Sequence, residues 1–180
     1  MPNMPFSKTS KSIGAILIFS FFVLPVSAQK SIKPSDEFVI DGMVKKEITL
    51  NLDSLKTYKA TSIDSILITN HLGEKKSALK NIKAIKIKDI LKNIEIDVEN
   101  PKLLSEFYFV FIATDDYKVV FSWNEIFNNG LGDNIFLILE KNGKKIEELD
   151  DRIAVLSPSD LMTGRRYVKG LKKIVVKRVE

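Results

Sequence analysis

Four cations, Arg165, Arg166, Lys169 and Lys172, fall within one short stretch that also holds Gly164 and Gly170. Planar guanidiniums suit bidentate capture of phosphate, sulfate or carboxylate, and lysine ammonium groups add point charge. A glycine at each end of such a segment lets the backbone come close to whatever the cations hold. From Thr163 to the C-terminus there are seven basic residues and one acidic residue, Glu180. The positive charge is therefore concentrated rather than spread. The same pattern has a second reading, because charge runs mark solvated faces and Lys or Arg protects sheet edges from pairing with other chains.

Other chemistry is poorly provided for. A single histidine, His71, cannot build a histidine-rich metal site, and the chain has no cysteine to complete one. Without cysteine there is also no thiolate nucleophile, no iron–sulfur ligation and no disulfide framework. Asp115 and Asp116 are adjacent between two strand-like runs, where neighbouring side chains point apart, so they read as turn residues rather than as an acid–base pair. The loop from Asn128 to Asn134 carries two glycines but no Walker lysine–serine pair and no dinucleotide fingerprint. No nucleophile elbow and no H-E-x-x-H helix is present. Nucleic-acid binding would need exposed aromatics among the basic residues, and the basic tail offers only Tyr167, so no nucleic-acid partner is expected.

These residues must be positioned by a chain of 180 residues, enough for one substantial core. Residues 1–28 read as a signal peptide: Lys8 and Lys11 precede an uncharged run from Ser12 to Ala28, and Val26-Ser27-Ala28 supplies small residues for cleavage. The competing reading is an N-terminal membrane anchor. No cysteine follows that would allow lipoprotein anchoring. Removal of the leader lowers the net charge from +5 to +3 and leaves no membrane span, which places the mature chain in the periplasm or outside the cell.

Residues 29–37 form a polar lead, and residues 38–180 form one domain. Phe38 and Ile40 alternate as in a strand, Ile48 to Leu52 returns as another, and Asn51 or Asp53 can cap a short helix. Thr61–Thr69 is β-branched and turns back at Asn70–Glu74 into a strand over Lys75–Leu79. The next stretch mixes periods and is read as a strand or irregular lead followed by a short helix at Lys88–Lys92. Phe107–Ala113 is apolar throughout and is expected to be a central strand, paired with Lys118–Phe121. Ser122 and Glu125 form a capping box, and Asn142-Gly143 suits a tight hairpin turn. The fold class is α+β: a strand-rich single domain with antiparallel or mixed sheets and short helices.

In order and spacing, three segments resemble the molybdopterin-binding domain of the sulfite oxidase family. They are FVIDGMVKKEITLNLDSL, FIATDDYKVVFSWNEIF and IAVLSPSDLMTGRRYVKGLKKIVV, and the similarity runs from about Phe38 to Val179. The resemblance implies a sulfite oxidase-like fold, a pterin cofactor whose phosphate is held by backbone and basic groups, and Arg165, Arg166 and Lys169, then Lys172 and Gly164, as the residues that hold it. Family enzymes bind molybdenum through a cysteine near the position of Ile68 to His71, where this chain has Thr69 and Asn70. The expected function is thus an exported domain that binds an anionic ligand, with molybdopterin as the candidate cofactor, but without standard molybdenum redox catalysis. The alternatives are a non-catalytic module that meets an envelope partner through its basic surface, and a molybdopterin-dependent oxidoreductase with an unusual metal site.

Overall fold

Phe107, Phe109, Phe111 and Ala113 are buried on one face of a strand while Tyr108, Val110 and Ile112 are half-buried on the other, so the apolar run lies inside a sheet as its composition demands. The computed structural model describes residue 1 and residues 31–180. The expected leader, Met1 apart, lies outside the described residues.

In chain order the elements are β1 (Glu37–Gly42), β2 (Ile48–Asn51), α1 (Leu52–Leu55), β3 (Thr61–Thr69), β4 (Lys75–Lys86), α2 (Ile87–Leu91), β5 (Phe107–Ala113) and β6 (Lys118–Ser122). They continue as α3 (Trp123–Phe127), β7 (Phe136–Lys141), β8 (Lys144–Lys145), β9 (Ala154–Leu156), β10 (Val168–Lys169) and β11 (Leu171–Arg178). Short 3₁₀ turns lie at Pro101–Glu106, Gly130–Asn134, Ile146–Glu148 and Thr163–Arg166.

Two sheets organise these elements. One has the order β2-β1-β11-β5-β6, with β1 and β11 parallel and the other pairs antiparallel. The second is antiparallel throughout, in the order β10-β9-β7-β4-β3, with β8 added beside β7. The main core joins the two: Phe38, Ile40, Phe109, Phe111, Phe121 and Ile174 from the first sheet pack with Ile85, Leu137 and Val155 from the second, and with Leu55, Ile90 and Ile126 of the helices. The second sheet is also buried on its other face by Ile66, Leu79, Ile82, Ile138, Leu156 and Tyr167. Side chains alternate across a strand, and β7 shows both faces buried in succession at Phe136, Leu137 and Ile138.

Local signals explain the short helices and turns. Asn51 accepts from Ser54 N at 2.9 Å to start α1, and Ser122 accepts from Glu125 N at 3.1 Å while Glu125 receives Ser122 N at 2.7 Å to start α3. Asn142 (φ 53) and Gly143 (φ 77) adopt the left-handed pair that the β7–β8 hairpin requires.

Two differences from the sequence reading stand out. The strand read over Lys75–Leu79 and the strand or irregular lead read after it form one continuous strand to Lys86, through a left-handed residue at Asn81 (φ 50) and a register shift between Lys83 and Ala84. Those irregularities break the period-2 pattern that would have marked it. The polar lead is also docked: Ser35 is buried and bridges Arg152, and the Thr114 hydroxyl accepts from Lys33 N at 3.0 Å and donates to Lys33 O at 2.8 Å.

Candidate functional site

The C-terminal end of β3 and the 3₁₀ turn Thr163–Arg166 are fastened together by one side chain. The Thr163 hydroxyl donates to Leu67 O at 2.8 Å and accepts from Thr69 N at 2.9 Å, satisfying the outer edge of β3 where no strand covers it. The contact is close enough that a Cβ on Gly164 would lie 2.1 Å from Thr69 O. Only glycine fits there.

This juxtaposition opens a cleft of about 380 Å³ lined by Ile68, Thr69, Asn70, His71, Tyr117, Gly164, Arg165, Tyr167 and Lys169. Among the described residues its lining contains no carboxylate. Tyr117 donates its hydroxyl to Arg165 O at 2.5 Å, which fixes the backbone that carries the guanidinium. Among the described residues the Arg165 side chain itself makes only a long contact, Nη2 to His71 O at 3.4 Å. Lys169 Nζ stands 4.9 Å from the centre of the Tyr167 ring. Among the described residues neither cation has a carboxylate partner. Gly170 (φ +64) then turns the chain into β11, where a Cβ would meet Lys33 O at 2.6 Å.

The structure places the other two proposed cations elsewhere. Arg166 turns inward: Nε and Nη2 meet the two carboxylate oxygens of Asp160 at 2.7 and 2.5 Å, Nη1 meets Glu125 at 2.9 Å, and the guanidinium lies 4.4 Å from the centre of the Phe121 ring. The Asp160 contact raises its pKa, burial opposes this, and Glu125 adds to the rise. Glu125 is pushed up by burial, but the Ser122 N–H, the Arg166 guanidinium and the Ser122 hydroxyl together hold it below the ordinary carboxylate value. Lys172 pairs with Asp116 at 2.6 Å. Gly164, Arg165 and Lys169 thus meet at one cleft, whereas Arg166 and Lys172 do not line it.

His71, Tyr117 and Tyr167 were not singled out as ligand-contacting residues in the sequence. His71 reads as an ordinary turn residue, and nothing in the order of the chain brings Tyr117 beside Arg165. Tyr167 has a second role behind the cleft, where Lys141 Nζ reaches its hydroxyl at 2.8 Å and Asp151 at 2.8 and 2.9 Å. Burial, reinforced by Asp151, raises the Tyr167 pKa, so its hydroxyl stays protonated. A neighbouring cleft of about 380 Å³ shares Lys169 but mixes Lys141 and Lys144 with Glu148, Asp150 and Asp151, so it has no single-sign preference.

No family model and no curated protein matches this chain. Among solved structures, the sulfane dehydrogenase SoxCD from Paracoccus pantotrophus is similar, with a TM-score of 0.57 and 14% identity over 80% of this chain and 39% of that chain. At this identity the likeness is one of fold. Together with the two sheets and short helices described above, it bears out the α+β reading of a strand-rich single domain with antiparallel or mixed sheets. This chain matches less than half the length of the dehydrogenase chain.

The cofactor implied by the sequence resemblance can be tested against the donors present. At the β3 corner the Thr69 hydroxyl is buried 3.5 Å from that of Thr163. The Asn70 amide is used within its own turn, accepting from Leu72 N at 2.9 Å and Glu74 N at 3.0 Å and donating to Glu74 at 2.8 Å. With no thiolate there, and no cluster of three or more His, Cys, Asp or Glu side chains among the described residues, these donors do not fit a protein-ligated molybdenum. Arg165 and Lys169 fit the anionic end of such a cofactor.

Proposed function

We propose that this protein is an exported anion-binding domain, built on an oxidoreductase-like scaffold, that holds a phosphate-, sulfonate- or carboxylate-bearing small molecule between Arg165 and Lys169. The observation that carries this reading is the contrast among four neighbouring cations. Arg166 and Lys172 are neutralised by carboxylates, while Arg165 and Lys169, among the described residues, face an acid-free cleft without one. An unpaired guanidinium beside an ammonium in a concave site attracts an oxyanion, which gains charge-assisted hydrogen bonds.

Molybdopterin is the cofactor to test, from the sequence resemblance and the fold likeness to a sulfane dehydrogenase, with its phosphate on Arg165 and Lys169. When bound, a molybdenum pterin would supply two-electron redox chemistry; the protein would contribute binding and orientation and no metal ligand at the β3 corner. Periplasmic or extracellular residence accompanies this proposal through the expected leader.

The test is calorimetric titration of the protein with inorganic phosphate, sulfate and a pterin phosphate, together with mass spectrometry and molybdenum analysis of protein recovered from its native compartment. Binding weakened at least ~10-fold in Arg165→Ala with Lys169→Ala, with folding retained, supports the site. Binding unchanged in that pair overturns it. Stoichiometric metal with turnover of an oxyanion would instead support a molybdopterin-dependent oxidoreductase with an unusual metal site.

A further inference from the structure

Nine large apolar side chains stand exposed among residues 31–180, and five of them, Leu67, Leu72, Tyr117, Leu161 and Met162, lie on the three segments that meet at Arg165. Single exposed leucines need no explanation, but a cluster around a cationic cleft does. Leu161 is 95% exposed and Leu72 66%, each at the tip of its own turn rather than along a groove.

Both tips are held rigidly. Asn70 accepts the N–H groups of Leu72 and Glu74 through its side chain and that of Gly73 through its carbonyl, so the turn displays Leu72 while satisfying its own donors. Leu161 and Met162 are held between Asp160, gripped by Arg166, and Thr163, bonded to β3. The Asn70–Glu74 turn, with the N–H groups of Leu72, Gly73 and Glu74 bonded internally, enters a poorly hydrated medium at lower cost than an unsatisfied turn would.

Three cations at this end, Arg165, Lys169 and Lys33, have no carboxylate partner among the described residues, while Glu74, Asp116 and Asp160 are each engaged by a neighbouring amide or cation and Asp115 accepts from Tyr117 N; the acidic residues Glu148, Asp150 and Asp151 lie on the other side of Lys169. Lys33 is tied to Thr114 at this same end.

We infer that this end of the domain docks on an anionic lipid bilayer, with Leu72 and Leu161 entering the interface and Lys33, Arg165 and Lys169 meeting headgroup phosphates. Projecting leucines flanked by cations suit a bilayer surface, where apolar insertion and electrostatic attraction add. The inference goes beyond ligand capture in the cleft and uses different side chains for its apolar part.

The absence of cysteine provides the test, since Leu72→Cys, Leu161→Cys and Val179→Cys each accept a single environment-sensitive nitrobenzoxadiazole label. Val179 is also exposed but follows the last residue of β11, at its far end from Leu171 and the cleft. With vesicles of phosphatidylcholine and phosphatidylglycerol, labels at 72 and 161 shift to the blue and brighten, the label at 179 does not, and high salt or pure phosphatidylcholine weakens the response. No response at 72 and 161, or an equal response at 179, overturns the inference. A response at 161 to polyglutamate but not to the vesicles also overturns it and assigns the face to an acidic protein. Arg165→Ala with Lys169→Ala, titrated with phosphate, reports on the cleft separately, because the leucine positions leave those cations in place.

Discussion

Arg166 grips Asp160 through two parallel hydrogen bonds, Nε to Oδ2 at 2.7 Å and Nη2 to Oδ1 at 2.5 Å. The fork geometry of arginine is thereby used inside the protein, and Ser157 adds a third donor to Asp160 at 3.0 Å. Its chain neighbour Arg165 reaches, among the described residues, only a carbonyl at 3.4 Å. One arginine fixes the loop that presents the other.

Arg166→Ala therefore acts on stability before it acts on binding. It leaves Asp160, whose side chain is 13% exposed, without its counter-ion, and it removes one partner of Glu125. The expected loss is ~3 kcal/mol in urea unfolding, near the lower end for breaking a buried pair because the arginine is not fully enclosed. Arg166→Lys recovers only part, since an ammonium cannot span both carboxylate oxygens. Arg165→Ala shifts the same unfolding curve by less than ~0.5 kcal/mol.

Gly164→Ala is expected to damage both fold and cleft. The added methyl would sit 2.1 Å from a backbone oxygen, so the Thr163–Arg166 turn must lift away from β3 and carry Arg165 with it. A destabilisation of ~2 kcal/mol is expected, together with loss of the Thr163 hydrogen bonds to Leu67 and Thr69. Faster amide exchange at Thr69 would show the second effect directly.

Much of the scaffold was legible because its signals are local. Thr61–Thr69 and Phe107–Ala113 are strands with the limits read from the sequence, and the Ser122–Glu125 capping box opens α3 as expected. What could not be read depends on distant pairing. The parallel match of β1 with β11 joins residues over 130 positions apart, Val39 with Lys173 among them, and no local period encodes it. The basic stretch was visible as composition, but its division into paired and unpaired cations was not. Glu125 reads fully as a helix cap, and nothing in its neighbourhood says that it also meets Arg166, 41 positions later.

The depressed pKa of Glu125 gives that contact a pH dependence. A carboxylate whose folded pKa lies below its unfolded value contributes stability that is complete above the ordinary carboxylate range and is lost as pH falls through the folded value. Glu125→Gln keeps the shape and removes the charge. The stability gap between wild type and this variant should be widest near neutral pH and close on acidification; a gap that stays constant to low pH would show that charge is not what Glu125 contributes. Asp133, held down to about 2 by Lys88 and then Lys86, is an exposed carboxylate, so Asp133→Asn should change the same curve little at moderate salt.

Behind the cleft, Lys141 and Asp151 form an ion pair with side chains only 12% and 11% exposed, and Lys141 also donates to Tyr167. Desolvating two charges is costly, so the pair need not exceed a well-packed apolar replacement in stability, yet either charge left alone is strongly unfavourable. Lys141→Met and Asp151→Leu should each destabilise by ~3 kcal/mol, while the double variant loses less than either single one, a coupling that a double-mutant cycle measures directly. Tyr167→Phe removes one hydrogen bond and leaves the pair intact, for a cost of ~1 kcal/mol. Because the Tyr167 ring carries Lys169 on its cleft side, the double variant also separates support from charge: if the ion pair serves to hold the ring, phosphate affinity falls when the pair is replaced, even though Arg165 and Lys169 are both still present.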